Sequence, residues 1–131
     1  MLMNIISVYA PLVGRILMGG MFLMAGIMKA TDLGMTAGYI DMMGLPMPLL
    51  FAWGSMLLEI IAGGALLLGY KTKYSAAALL IFTVLVTLIF HTDFSNEAQQ
   101  PLFTKNLAIM GGLLYMLSFG SGAIALDRRR S

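Results

Sequence analysis

Four stretches of about twenty residues, at 9–30, 47–69, 74–91 and 103–125, are continuously apolar and carry few charges. A helix rising 1.5 Å per residue needs roughly that length to cross a hydrocarbon layer ~30 Å thick. Membrane β-strands would instead alternate apolar and polar positions over ~10 residues, and these runs do not alternate. The expected fold is therefore all-α, an integral membrane four-helix bundle. The composition agrees. Of 131 residues, 60% are hydrophobic and 11% charged, against about 25% charged in an ordinary soluble domain. Mean hydropathy is +0.90. So short a chain has too little volume to bury that much apolar surface in water, and disordered chains are poor in apolar residues.

Little sequence remains outside the four stretches, so one domain over 1–131 is expected. Residues 31–44 hold Asp32, Gly34, Gly38, Asp41 and Gly44, yet also Met35, Tyr39 and Ile40. They are expected to form an interfacial turn or short helix, with Pro46 and Pro48 opening the second span. Residues 69–73 form a tight basic turn, 93–101 a polar loop, and 127–130 a charged tail. A cleaved leader over 16–27 is not expected, because Lys29 stands where a cleavage site needs small residues. Lys71, Lys73, Arg128, Arg129 and Arg130 share one side with both termini, whereas Lys29 and Lys105 lie among Asp32, Asp41, Asp93 and Glu97. The positive-inside rule then puts the termini in the cytoplasm.

Two charges fall well inside the spans. Arg15 and Glu59 each cost ~2.5–3.5 kcal/mol to insert alone, so they should face the bundle interior and pair with one another. Such a pair is either part of a polar pocket or a clamp between helices, with a snorkelling arginine as a further option. Arg15, Gly19, Phe22, Gly26 and Lys29 recur at four-three spacing and mark the inward face of the first helix. Ser55, Glu59 and Gly63 do the same for the second, where small residues permit close approach.

A second constellation gathers at the opposite rim: Lys29 ends the first helix, His91 ends the third, and Lys105 with Asn106 opens the fourth. Thr87, one turn before His91, is positioned to hydrogen-bond across the bundle. An imidazole there is able to donate or accept a proton, and the group suits an anionic or quinol-like ligand. Snorkelling lysines around a helix end would be the purely structural account. No metal site is expected: one histidine cannot build a zinc or haem centre of the usual kind. Thirteen methionines are read as pliable apolar filler rather than copper ligands. Zero cysteines exclude disulfides and thiol redox chemistry, and no basic groove with interleaved aromatics points to nucleic acid. Tyr39, Trp53, Tyr70, Tyr74 and Tyr115 stand mostly where an aromatic belt belongs.

The motifs resemble those of the DoxX family of small bacterial four-helix membrane proteins. Helix 1 carries Arg15 and then MFLMAGIMK; AGYIDMMGLP (37–46) follows; LLEIIAGGALLLGYKTKYSAA holds Glu59 and the basic turn. HTDF from His91, FTKNLAIMGGLL and the closing GSGAIALD complete a likeness along nearly the whole chain, with three arginines added after Asp127. The resemblance implies an inner-membrane location and a role described as oxidoreductase, through likeness to a thiosulfate:quinone oxidoreductase subunit. The expected function is thus a redox component handling a quinone or similar lipophilic small molecule, with no covalent cofactor. Glu59 and His91 would serve as proton-relay residues, and Arg15, Lys29, Lys105 and Asn106 as ligand contacts. A redox partner subunit or a second copy of the chain are the candidate protein partners. Two other readings stay open: a non-enzymatic subunit anchoring a partner enzyme, and a small-solute transporter or detoxification protein.

Overall fold

A computed structural model of the protein describes residues 1–129, the side chain of Arg129 excepted; Arg130, counted above in the basic tail, lies outside the described residues. The chain is all-α, with no strand among the described residues. Four helices are long and apolar enough to cross a membrane: α1 (Leu2–Thr31), α3 (Pro48–Leu68), α4 (Thr72–Phe90) and α5 (Gln99–Phe119). Between the first two lies the short helix α2 (Leu33–Met42), capped by Asp32 Oδ1 accepting from Met35 N at 3.1 Å. A last turn of helix, α6 (Leu126–Arg129), ends the described chain.

The helix boundaries follow local backbone chemistry. Pro48 occupies the first turn of α3, where its missing N–H costs nothing. Gly69 ends α3 in the left-handed region (φ 72), and Tyr70 N reaches back to Ala65 O at 2.8 Å. The fourth span was expected to run to Ala125 but stops at Phe119. Gly120 adopts φ 80 and Gly122 φ 83, so residues 120–125 turn back beneath the bundle instead of continuing as helix. At the other end of the chain α1 begins at Leu2, well before residue 9.

The closest packing joins α1 to α3. A Cβ on Gly19 would stand 2.7 Å from Gly63 O and 2.6 Å from Leu67 N, and one on Gly63 would stand 2.8 Å from Leu23 N. The two backbones touch there because neither residue has a side chain. Arg15, Gly19, Phe22 and Gly26 are the buried residues of α1, the inward face that their spacing predicts. Phe22, Ala62, Leu66, Ala76, Leu79 and Leu113 form the apolar core between α1, α3, α4 and α5.

This antiparallel register corrects the expected Arg15–Glu59 pair. With Gly19 against Gly63 and Leu67, Arg15 stands level with the end of α3, about 12 Å along that helix from Glu59. Its Nη1 donates to Leu67 O at 3.0 Å and its Nη2 to Ile124 O. Arg15, 1% exposed, therefore ties α1 to the end of α3 and to the returning tail. Asp127 completes that junction. Its carboxylate accepts from Lys71 N at 2.6 Å, Thr72 N at 2.9 Å and Thr72 Oγ1 at 2.7 Å, capping α4, while its own N–H donates to Gly69 O.

Candidate functional site

Glu59 finds its partner in Lys29. The two side chains form the one ion pair among the described residues, between the last turn of α1 and the middle of α3. Glu59 is 3% exposed and the Lys29 side chain 26%. The ammonium also lies 5.6 Å from the centroid of the Phe82 ring on α4, a favourable position over an aromatic face. A single helical seam thus supplies two cations with different tasks: Arg15 holds backbone, and Lys29 holds a carboxylate.

Both members of the pair line a cavity of about 810 Å³ that opens between α1, α2, α3, α4 and α5. Its walls are largely apolar, with Phe22, Leu58, Phe82, Val86 and Ile109 among them. His91, Lys105 and Asn106 line the same cavity. Five of the six residues singled out in the sequence therefore meet in one space, and Arg15 stands apart at the far end of the bundle.

The polar rim is ordered by hydrogen bonds. Asn106 Nδ2 donates to Thr87 Oγ1 at 3.0 Å, and Thr87 Oγ1 donates to Thr83 O at 2.6 Å. Asn106 and Thr87 are both buried, so this bond satisfies two groups that would be costly to leave alone in an apolar bundle. His91 Nδ1 lies 2.8 Å from Gln99 Oε1. An amide oxygen only accepts, so the imidazole donates from Nδ1, which in the neutral ring leaves Nε2 as the acceptor. Gln99 was not singled out in the sequence. It sits at the start of α5 across the 91–98 loop, and no periodicity links it to His91. Tyr39 of α2 stacks on Phe90 with ring centroids 5.4 Å apart, and both rings also line the cavity. The short helix α2 is thereby one wall of the site and not a free connection.

Comparison with known proteins places this architecture. The family model DoxX matches residues 10–92. Inner membrane protein YqjF of Escherichia coli is 38% identical over 120 residues, covering 89% of this chain and 88% of that protein. Inner membrane protein YphA of the same organism is 32% identical over 123 residues, covering 90% and 88%. A surfeit locus protein 4 homolog of Drosophila melanogaster is 30% identical over 84 residues, 59% of this chain and 29% of that protein. No solved structure gives a significant match. With four membrane-crossing helices and a family match over most of its length, the chain belongs to the DoxX family of membrane proteins.

Proposed function

We propose that the cavity takes up a quinone or a similar lipophilic small molecule, and that the protein is a component of a membrane oxidoreductase in a bacterial inner membrane. The observation that carries this reading is the meeting of apolar walls with Lys29, Glu59, His91, Lys105 and Asn106 in one cavity of about 810 Å³. Small-molecule sites have this character, mostly apolar with a few placed polar groups, and volumes of roughly 300–1,000 Å³. A tightly packed interior would have favoured a purely anchoring role.

Reducing a quinone to its quinol takes two electrons and two protons. The electrons come from a donor on a partner subunit. Glu59 and His91 are the groups assigned to proton delivery, each holding a proton-exchanging atom beside the cavity. Lys29, Lys105 and Asn106 stabilise negative charge developing on the ring oxygen, by charge and by hydrogen bonding. One N–H of Asn106 is taken by Thr87, and its amide has a second N–H and an oxygen to offer. Arg15 drops out of the ligand set, because its guanidinium is committed to the carbonyls of Leu67 and Ile124. The end of the bundle bearing Arg15, Lys71, Lys73 and Arg128 is assigned to the cytoplasm, and the cavity to the outer half of the membrane.

The test is saturable binding of a short-chain ubiquinone analogue to the purified protein, together with quinone-dependent electron transfer in membranes. Glu59→Gln and His91→Ala are expected to lower the transfer rate by about 10²-fold or more. Absence of saturable binding, or variants equal to the parent, would overturn the proposal. A stoichiometric partner enzyme recovered with its activity indifferent to both substitutions would favour the anchoring role. Solute flux in liposomes would favour the transport reading.

A further inference from the structure

A second depression, of about 450 Å³, lies at the opposite end of the bundle, where the turn into α4 meets the end of α5 and the returning tail. Lys71, Lys73 and Arg128 line it, with Asp127 as its one carboxylate among the described residues. That carboxylate is already engaged by Lys71 N, Thr72 N and Thr72 Oγ1. The two lysine ammonium groups enter no ion pair among the described residues; that of Lys71 lies 5.7 Å from the Tyr70 ring centroid. Two lysines thus stand over a carboxylate whose oxygens are occupied, which leaves a concave surface with an excess of positive charge, while Arg128 is tied by its Nε to Gly122 O at 3.1 Å. Tyr74 and Phe119 also line the depression and are 80% and 76% exposed on the outer faces of α4 and α5.

We propose that this depression binds the phosphate of an anionic bilayer lipid, with the acyl chains descending past Tyr74 and Phe119. Depth supports it. The depression sits at the ends of α4 and α5, and helices of 19 and 21 residues just match a hydrocarbon layer ~30 Å thick, so it lies where headgroups are. Chemistry supports it as well: lysines act as point charges toward phosphate, and basic pockets between membrane helices recruit acidic headgroups. The outward-facing aromatic pair favours a lipid over a free anion, since only the lipid has chains to cover it. The proposal is independent of what the larger cavity binds.

The experiment is native mass spectrometry of the full chain in detergent, titrated separately with phosphatidylglycerol, phosphatidylcholine and inorganic phosphate. Saturable phosphatidylglycerol binding is expected, with phosphatidylcholine at least tenfold weaker. The double variant Lys71→Asn, Lys73→Gln is expected to weaken phosphatidylglycerol binding about thirty-fold, asparagine being chosen because it tolerates the left-handed backbone at that position (φ 46). Lys73→Gln alone, which leaves the turn untouched, is expected to weaken it about fivefold. Lys105→Gln, in the other cavity, is expected to leave phosphatidylglycerol binding at the parent level. Equal binding of the two lipids, or variants that bind as the parent does, would overturn the proposal. So would inorganic phosphate binding as tightly as phosphatidylglycerol, which would make this a site for free anions.

Discussion

Lys29 and Glu59 stand to lose different amounts if parted. Glu59 is 3% exposed, whereas the Lys29 side chain keeps 26% of its surface and has the cavity beside it. Removing the lysine strands a carboxylate in the bundle; neutralising the glutamate leaves a long flexible cation free to turn toward the cavity. Lys29→Met is therefore expected to cost about 3 kcal/mol of stability and Glu59→Gln only about 1 kcal/mol. The double substitution should recover much of the larger loss. Thermal unfolding in detergent checks this, and additive or equal effects would contradict the pairing. His91 offers a second test at this scale. It is the only histidine in the chain, so a single imidazole appears in nitrogen NMR spectra. With Gln99 Oε1 accepting at 2.8 Å, the neutral ring should carry its proton on Nδ1, and Gln99→Leu should bring up the Nε2-protonated form. These partners differ in how far the sequence reveals them. The inward face of α1 is legible because a period of three and four residues is a property of one helix. Which of its cations meets Glu59 is a matter of register between two helices, and the residues preceding Arg15 are as apolar as those following it. Nothing local therefore fixes where α1 starts against α3.

Two contacts between elements can be tested one residue at a time. Where α1 crosses α3, Gly63 and Gly64 are adjacent in sequence but opposite in consequence. A Cβ at Gly63 would meet Leu23 N at 2.8 Å, while one at Gly64 meets nothing within 4 Å. Gly63→Ala is accordingly expected to destabilise by about 1–3 kcal/mol through forced separation of the helices. Gly64→Ala should be neutral or slightly stabilising, since alanine suits a helix interior better than glycine. Melting temperatures of the two variants decide it. At the other contact, Asp127 caps α4. Burial would raise its carboxyl, but hydrogen bonds from the Thr72 hydroxyl and from the backbone of Thr72 and Lys71, with the charge of Arg15, together hold it below the usual carboxylate range. A depressed folded-state value means that the cap's contribution is fully present above the ordinary carboxyl pKa of about 4. It is lost as pH falls through the lower folded value. Asp127→Asn should therefore lower stability at neutral pH and flatten its decline as pH falls below about 4. Unfolding curves across that window that parallel the parent's would count against the cap. The closing glycine-rich motif is visible in the sequence, yet its effect is not: only the positive φ values at Gly120 and Gly122 turn an apparent helical run back to meet Arg15.

At the scale of the whole molecule, the spans are unequal. Helices α3, α4 and α5 have 21, 19 and 21 residues, about 30 Å each, while α1 has 30 residues, about 45 Å. Because Arg15 is level with Leu67, the surplus is the first part of α1, which overhangs the end holding Lys71, Lys73 and Arg128. Apart from Asn4 and Ser7 its side chains are mostly apolar and exposed, Leu2 at 70% and Met3 at 72%, so this segment gains by tilting into the headgroup layer instead of standing in water. The same asymmetry of ends sets the expected topology: under the positive-inside rule the basic cluster would mark the cytoplasmic face, and the 91–98 loop would then face outward. The absence of native cysteine makes the consequence directly measurable, each introduced thiol being the only one present. Ser95→Cys, in the exposed loop between α4 and α5, should react with a membrane-impermeant maleimide in intact cells. Asn4→Cys, on the overhang, should react only after the membrane is opened, and then more slowly if its helix lies in the headgroup layer. The reverse pattern would invert the protein, turning the cavity toward the cytoplasm and moving any redox partner to the same side.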